Sequence, residues 1–299
     1  MEILKLRKFE SPSVVVIGKF DGVHKGHQSL MDMACKIGVG QKLTPIAYTF
    51  ESFGECITDD KLKTTLLGEY GAEKIYIQPF TDEFKSMSPE DFVKLLKEDF
   101  NAKHIVVGFN FRFGKDRSGD AVIMEKLCDE MGMGITIAEP VLFESEPINS
   151  TRIRALIKDG YMDSANIMMG RAFSVTAEIF HGKMLGRKIG FPTANMSLDD
   201  FSLIPKNAVY ATSVKIGNKI YPAITNIGSN PTVDKDKSIK AETHIIGFDG
   251  DLYGKTITVD FIKILRGETK FESVDGLKDQ LLKDTEDAKN IFKTYIDKI

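Results

Sequence analysis

Cysteine is scarce and poorly placed for bridging: Cys35, Cys56 and Cys128 are the only three in 299 residues, far apart and without a CxxC pair. An odd, scattered set fits neither a disulfide framework nor a zinc site, so the expected compartment is a reducing cytoplasm. No apolar run approaches the roughly 18 residues of a membrane span. The N-terminus, MEILKLRKFE, lacks the unbroken apolar core and cleavage site of a secretory signal, and no membrane partner is expected. An excess of one charge is missing too. Lys plus Arg is 40 and Asp plus Glu 43, for a formal net charge of −3, which supplies no basic field for wrapping nucleic acid. What remains is ordinary globular composition, 42% hydrophobic and 28% charged, which argues against long disorder. At about 150 residues per domain, the length suits two domains.

Strand-like and helix-like segments alternate in the first half. Residues 14–17 form a short β-branched run that ends in Gly18, and a helical pattern follows over residues 27–37. Further strands are expected at 45–50, 74–77, 105–107 and 135–138. Ser88-Pro89-Glu90 opens a helix well, since Ser caps, Pro suits the first helical position and acids favour the first turn. Phe92, Leu95 and Leu96 then share a face. Continuous apolar strands separated by helices indicate an α/β N-terminal domain with a doubly wound, Rossmann-like parallel sheet.

The pattern changes beyond residue 165. Alternating runs at 173–179, 210–216, 220–224, 243–248 and 257–264 are broken by glycine-rich turns, with hairpins read at 215–219 and 248–251. This predicts a small antiparallel β-barrel closed by an amphipathic terminal helix over residues 274–298. The expected domains are 1–165 and 166–299.

Gly18-Lys19-Phe20-Asp21-Gly22-Val23-His24-Lys25-Gly26-His27 falls where the first strand turns into the first helix, the place where open α/β sheets bind ligands. Glycines at 18, 22 and 26 let the backbone bend tightly and approach a ligand. A helix opening near His27 aims unpaired N–H groups and a positive dipole end at whatever lies above it, which suits phosphate. Two histidines three apart can hydrogen-bond one polyphosphate from that end. The plainer alternative is a structural pair or a stray metal ligand. The flanking glycines and the strand–turn–helix setting favour phosphate.

HxGH after a first strand resembles the signature of the nucleotidylyltransferase superfamily. The longer GKFDGVHKGHQ is similar to the bacterial bifunctional riboflavin kinase/FMN adenylyltransferase family, also called FAD synthetase. That resemblance implies that His24 and His27 stabilise the phosphates of ATP while an FMN phosphate attacks the α-phosphorus. Gly18, Phe20, Asp21, Gly22 and Gly26 would complete the nucleotide cradle. The run from Val107 to Gly114 resembles the family's glycine–aromatic loop and places Asn110 near nucleotide or flavin; on the residues alone Phe109, Phe111 and Phe113 are as readily core. The run from Asn149 to Arg154 resembles the family's SSTRIR motif, with Asn149 where Ser is usual. Ser150 and Thr151 are either nucleotide contacts or caps of the next helix. Arg154, ahead of Arg152, is the cation expected to neutralise the pyrophosphate leaving group. The family's Pro-His-Pro-like turn is missing at Thr49-Phe50-Glu51-Ser52-Phe53-Gly54.

A second segment runs from His181 to Asn195, with glycines at 182, 186 and 190 around basic residues, and suits a loop that closes over phosphates. Thr193 and Asn195 supply a hydroxyl and an amide two residues apart, oxygen ligands that suit Mg²⁺; a glycine-rich hairpin with Thr and Asn as turn formers is the alternative. GRKIGFPTAN resembles the riboflavin kinase signature. The resemblance implies nucleotide contacts from Gly186, Arg187, Gly190, Thr193 and Asn195, with the metal at Thr193 and Asn195. It also makes Glu242, in Ala241-Glu242-Thr243-His244, the general base on the ribityl 5′-hydroxyl; otherwise it is a surface Glu. The family features 226–232, 249–254 and 265–268 recur in order. Among them Arg266 and Glu268 are either an ion pair or flavin-site residues. Gly267 replaces a usual Pro, and Ala208 a usual Gly.

The resemblance thus implies a cytoplasmic transferase that phosphorylates riboflavin with ATP and adenylylates the resulting FMN to FAD, with Mg²⁺ in both steps. Its partners would be small molecules, with no nucleic acid or membrane, and the chain a monomer or weak homo-oligomer. The alternatives are a chain with only one of the two activities, or a flavin-binding regulatory module.

Overall fold

A computed structural model describes residues 2–3, 8–182, 186, 189–229 and 239–297 in two compact units, Met1–Ser150 and Thr151–Ile299. In the first unit, β1 (Glu2–Ile3), β2 (Ser13–Ile17), β3 (Thr44–Phe50), β4 (Lys74–Gln78), β5 (Ala102–Gly108) and β6 (Gly134–Ala138) form one parallel sheet. Its order is β1-β4-β3-β2-β5-β6. The helices are α1 (Lys25–Gln41), α2 (Asp60–Glu69), α3 (Asp82–Lys85), α4 (Pro89–Asp99) and α5 (Ala121–Glu130). β2 shows why the sheet is covered on both faces. Its side chains alternate: Val14 and Val16 join the core with Leu30, Met31 and Ala34 of α1, and Val15 and Ile17 join Phe92, Leu96, Met124 and Leu127 of α4 and α5. The doubly wound reading therefore holds. Ser88 caps α4 by accepting the Asp91 N–H at 3.0 Å, with Pro89 at the first helical position. Strand order reverses between β2 and β5, which opens a crevice at their carboxyl ends.

A short pair, β7 (Leu142–Phe143) and β8 (Glu146–Pro147), precedes α6 (Ser150–Asp159) and α7 (Met162–Met169). The second unit then adds β9 (Phe173–Glu178), β10 (Ala194–Ser197), β11 (Ala208–Ile216), β12 (Lys219–Ser229), β13 (Ile239–Ile245), β14 (Thr256–Arg266) and α8 (Val274–Ile296). The six strands pair antiparallel in the order β10-β13-β12-β11-β14-β9. A bridge between Phe180 and Asn195 joins the two outer strands, and the sheet curls into the expected near-barrel. Within it Thr212, Thr225 and Thr243 are buried, with Thr225 directly opposite Thr243 and Thr212 diagonal to Thr225. Their hydroxyls form a chain at 2.9 Å and 2.9 Å, so each buried hydroxyl has at least one hydrogen-bond partner. The amide of Asn166 fastens α7 to the sheet, donating to the Phe261 carbonyl at 2.7 Å and accepting the Phe173 N–H at 2.8 Å.

Three local expectations change. The 248–251 hairpin does not exist: β13 pairs with β10 and β12, whereas β14 pairs with β11 and β9. β13 ends at Ile245, just before Gly247 at φ 74°, and residues 246–255 cross between non-adjacent strands as a loop. β12 runs on to Ser229, because Asn226, Ile227 and Gly228 continue its pairing with β13. The 215–219 hairpin is present, closed by Ile216 opposite Lys219 with Gly217 at φ 60°. Finally, Arg266 does not pair with Glu268. It forks onto Asp284 of α8, Nε to Oδ2 at 3.0 Å and Nη2 to Oδ2 at 2.9 Å, and Ala288 of the same helix packs on Val209, Ala211 and Ile224.

Asp284 is buried, so removing it strands a guanidinium that has little other compensation. Asp284→Ala should destabilise the second unit by about 3 kcal/mol. Urea unfolding would show that unit's transition moved to lower denaturant, with the first unit's unchanged.

Candidate active sites

The turn after β2 is bent against the preference of its residues. Phe20 (φ 51°), Gly22 (φ 80°) and Val23 (φ 38°) all take left-handed backbone, which a β-branched residue adopts only under constraint. Several contacts supply that constraint. Oδ1 of Asp21 accepts the N–H groups of Ile57 at 2.7 Å and Thr58 at 3.3 Å. Gly22 N–H donates to Thr58 Oγ1 at 3.1 Å. The Ser150 hydroxyl donates to the Asp21 carbonyl at 2.9 Å. The buried Phe20 ring lies over Gly18, where an added Cβ would sit 3.1 Å from it.

This turn delivers the two histidines as a stacked pair, with ring centroids 3.6 Å apart and planes 19° apart. Gly26 makes the stack possible, since a Cβ there would come within 3.1 Å of His24 Cε1. Phe20 meets His27 edge-on at 5.2 Å. Nδ1 of His27 is buried and has no hydrogen-bond partner among the described residues. Burial, and then the neighbouring His24, push the His27 pKa well below the ordinary histidine value. The ring is held neutral near the N-terminus of α1. The metal alternative finds no support: among the described residues no three His, Cys, Asp or Glu side chains converge as a metal site.

The glycine–aromatic loop divides between its two readings. Phe113 is core, packed on Phe92 at 5.6 Å, and Phe111 stacks on Phe113 at 5.5 Å. Phe109 and Asn110 are exposed, and Arg112 pairs with Asp120 at 3.0 Å. Ser150 lies inside the first turn of α6 with its hydroxyl directed to Asp21, so it is not the cap of that helix. Thr151 Oγ1 accepts a hydrogen bond from Arg154 Nη2 at 3.3 Å.

In the second unit, strand register assembles the other set. Asn195 of β10 lies opposite Glu242 of β13, which lies opposite Asn226 of β12. Directly paired residues share a sheet face, so Asn195, Glu242 and Asn226 form one polar row. The Phe191-Pro192-Thr193 approach is pinned by His244, whose Nδ1 meets the Pro192 carbonyl at 2.8 Å and whose ring meets Phe191 edge-on at 5.2 Å. Asn195 Nδ2 donates to the Thr193 carbonyl at 3.2 Å, which directs its amide oxygen elsewhere. Gly182 lies against that amide, where a Cβ would come within 2.5 Å of Nδ2. Gly186 likewise passes the Phe191 carbonyl, at 2.3 Å from an added Cβ. Pro192, Thr193 and Asn195 line a cavity of ≈ 430 Å³ whose far wall is Asp249, Gly250, Asp251 and Tyr253, with His181 stacked on Tyr253 at 3.7 Å. The loop that replaces the expected hairpin is thus a wall of this cavity, which β13 lines with Thr243 and Ile245 and not with Glu242. Gly190 takes φ 89° at the turn before Phe191. Arg187, with Lys183, Met184, Leu185 and Lys188, lies outside the described residues, as do 230–232. Glu268 lies against Gly228, where a Cβ would come within 2.6 Å of its Oε1. His244 and Asn226 went unassigned in the sequence; an i, i+2 alternation from Glu242 would have marked His244.

The family model for riboflavin kinase matches residues 169–292, and that for FAD synthetase matches residues 6–152. A bifunctional riboflavin kinase/FMN adenylyltransferase of Bacillus subtilis is 30% identical over 96% of this chain and 95% of its own. The Escherichia coli K12 protein of that name is 33% identical over 93% of this chain and 92% of its own. A solved structure described as a macrolide-efflux protein from Streptococcus pneumoniae superposes with a TM-score of 0.88 at 34% identity, covering 96% of this chain and 98% of that one. Among the described residues no helix is long and apolar enough to cross a membrane. The fold and these matches together define a two-unit flavin-nucleotide transferase. The chain belongs to the bifunctional riboflavin kinase/FMN adenylyltransferase family.

A pH dependence follows from His27. Between its ordinary value of 6.5 and its depressed folded value, the folded state binds fewer protons than the unfolded one. The associated stability is therefore complete above that ordinary value and is lost as pH falls towards the folded pKa. His27→Asn removes the titration. Melting of the first unit should fall more steeply with acidification to about pH 5 in the parent than in this variant; equal slopes would contradict a buried neutral His27.

Proposed function

We propose that the two units carry out consecutive steps of FAD synthesis: ATP-dependent phosphorylation of riboflavin to FMN in the second, then adenylylation of FMN by a further ATP in the first, with release of pyrophosphate. Family membership over nearly the whole chain supports both activities over a single retained one or a regulatory module. The functional division falls near residue 165, with the adenylyltransferase segment as 1–165 and the kinase as 166–299. The chain acts in the cytoplasm as a monomer or weak homo-oligomer, on small molecules, without a nucleic-acid or membrane partner.

In the adenylyltransferase, an FMN phosphate oxygen attacks the α-phosphorus of ATP while its bond to the β-phosphate bridging oxygen breaks. The protein needs to supply alignment and charge neutralisation more than covalent help. His24 and His27 bind the nucleotide phosphates above the N-terminus of α1. Gly18, Phe20, Gly22 and Gly26 shape the cradle, and Asp21 holds it. Asn110 contacts nucleotide or flavin, Ser150 and Thr151 contact nucleotide, and Arg154 offsets the charge on departing pyrophosphate.

In the kinase, Glu242 accepts the proton of the ribityl 5′-hydroxyl as that oxygen takes the γ-phosphoryl group and ADP leaves. Thr193 and Asn195, with Gly186, Arg187 and Gly190, hold the nucleotide end, and Arg266 and Glu268 border the flavin. The donors at Thr193 and Asn195 are oxygens, which fits Mg²⁺, and with no carboxylate cluster beside them among the described residues the ion would share its coordination with phosphate oxygens. When bound, Mg²⁺ screens the phosphate charge. The observation that carries the kinase reading is the register that sets Asn195 directly across from Glu242.

Chromatography of reactions containing ATP, Mg²⁺ and either riboflavin or FMN separates the steps. Glu242→Ala should lower FMN formation by at least about 100-fold while FAD formation from supplied FMN persists. His27→Ala should do the reverse. Kinase turnover barely changed in the first variant removes Glu242 as the base, and intact FAD formation in the second removes His27 from its site.

A further inference from the structure

The segment from Phe50 to Asp60 contains no proline, yet it is the strap whose Ile57 and Thr58 amides hold Asp21. Its middle, from Glu51 to Glu55, is largely exposed, and Gly54 at φ 67° has nothing against it. What fixes its ends is Lys63, one of the most buried large side chains of the protein at 1% exposure. Its ammonium has three protons and three acceptors: the Phe50 carbonyl at 2.6 Å, Ser52 Oγ at 3.0 Å and Asp60 Oδ1 at 2.7 Å. The Asp60 oxygen also accepts the Ser52 N–H at 3.0 Å and hydroxyl at 2.7 Å. Burial opposes ionisation of Asp60, but the Lys63 and Ser52 bonds outweigh it and hold the carboxyl below its ordinary pKa. A buried lysine with every proton bonded is pinned in place and pins its acceptors.

We propose that Lys63 is a positioning residue for adenylyl transfer, acting through the strap and Asp21 on the left-handed turn that presents the two histidines. The inference rests on the adenylyltransferase reading of the first unit. The chain of contacts is continuous. Lys63 ties the β3 end of the strap to the start of α2, and the residues just before α2 bond Asp21 and Gly22. Ile57 also fills the space beside Gly22, where a Cβ would come within 2.9 Å of its Cδ1. A strap freed at Phe50 and Ser52 would loosen Asp21, and the turn from Phe20 to Val23 would lose the contacts that hold its strained backbone.

The test uses the full chain with Lys63→Met, which keeps the stem and removes the ammonium. Hydrogen exchange should rise at least about tenfold at the Ile57 and Thr58 amides, with β2 and β3 unchanged. The turnover number for FAD formation from FMN should fall at least about tenfold, and riboflavin phosphorylation should stay at the parent rate. Because Lys63 acts through Asp21, adding Lys63→Met to Asp21→Ala, which removes the acceptor of the Ile57 and Thr58 amides, should lower turnover little beyond Asp21→Ala alone. Unchanged exchange at 57–58, unchanged FAD formation despite a loosened strap, or multiplicative effects with Asp21→Ala would each overturn the proposal. Should Lys63→Met unfold the first unit, Ser52→Ala, which removes one acceptor, decides: a local rise in exchange with a smaller loss of turnover supports the proposal, and no change refutes it. If the parent chain itself made no FAD from FMN, the adenylyltransferase reading would fail and take the catalytic role of Lys63 with it; the exchange data alone would then show whether Lys63 holds the strap.

Discussion

Both reactions need polypeptide backbone to lie close to a polyphosphate, and the structure depends on keeping it in a shape that an ordinary loop would leave. In the first unit the shape is the left-handed turn of Phe20, Gly22 and Val23, whose intrinsic preferences run against it. In the second it is the close passage of Gly182 over Asn195 and of Gly186 over the Phe191 carbonyl, where any side chain would collide. The solutions differ in kind. The turn is held from outside by hydrogen bonds to a separate strap; the passage is held by the absence of atoms. Strained backbone kept in place by its surroundings is a common feature of phosphate sites.

The electrostatics follow the same division. The first unit presents a stacked pair of imidazoles at a helix N-terminus, of which His27 is held neutral by burial, a setting in which N–H groups and the helix end outweigh fixed charge. Nδ1 of His27, buried without a partner among the described residues, is costly to leave unpaired. The second site places a carboxylate on the same sheet face as the amide of Asn195. That pairing suits a reaction in which a hydroxyl proton must leave as phosphate is transferred. FMN is the product of one chemistry and the substrate of the other, so the two sites need share nothing but that molecule.

Much of this was legible along the chain. Apolar runs with helical spacers gave the parallel sheet because each such strand is buried on both faces, and the strand–helix junction at HxGH was legible because glycine spacing and helix polarity are local properties. The losses came where the partner of a residue is chosen by topology. Arg266 is two residues from Glu268 and 18 from Asp284, yet the α8 face brings Asp284 to it. The 248–251 turn reads as a hairpin until strand order separates β13 from β14. β10 is only four residues long, with too little alternation to mark it, so the register that joins Asn195 to Glu242 was not visible. Lys63 was invisible for another reason. On α2 it looks like one more surface lysine, and only the carbonyl of Phe50 and the side chains of Ser52 and Asp60 make it a buried hub.

The central claim is that one chain performs two nucleotide-dependent steps in sequence, and product balance over time tests it most directly. With riboflavin, excess ATP and Mg²⁺, FMN should rise first and FAD follow after a lag, with one ADP and one pyrophosphate formed for each FAD. FMN that accumulates with ADP but never yields pyrophosphate, or no ADP release with riboflavin alongside FAD formation from added FMN, would contradict it.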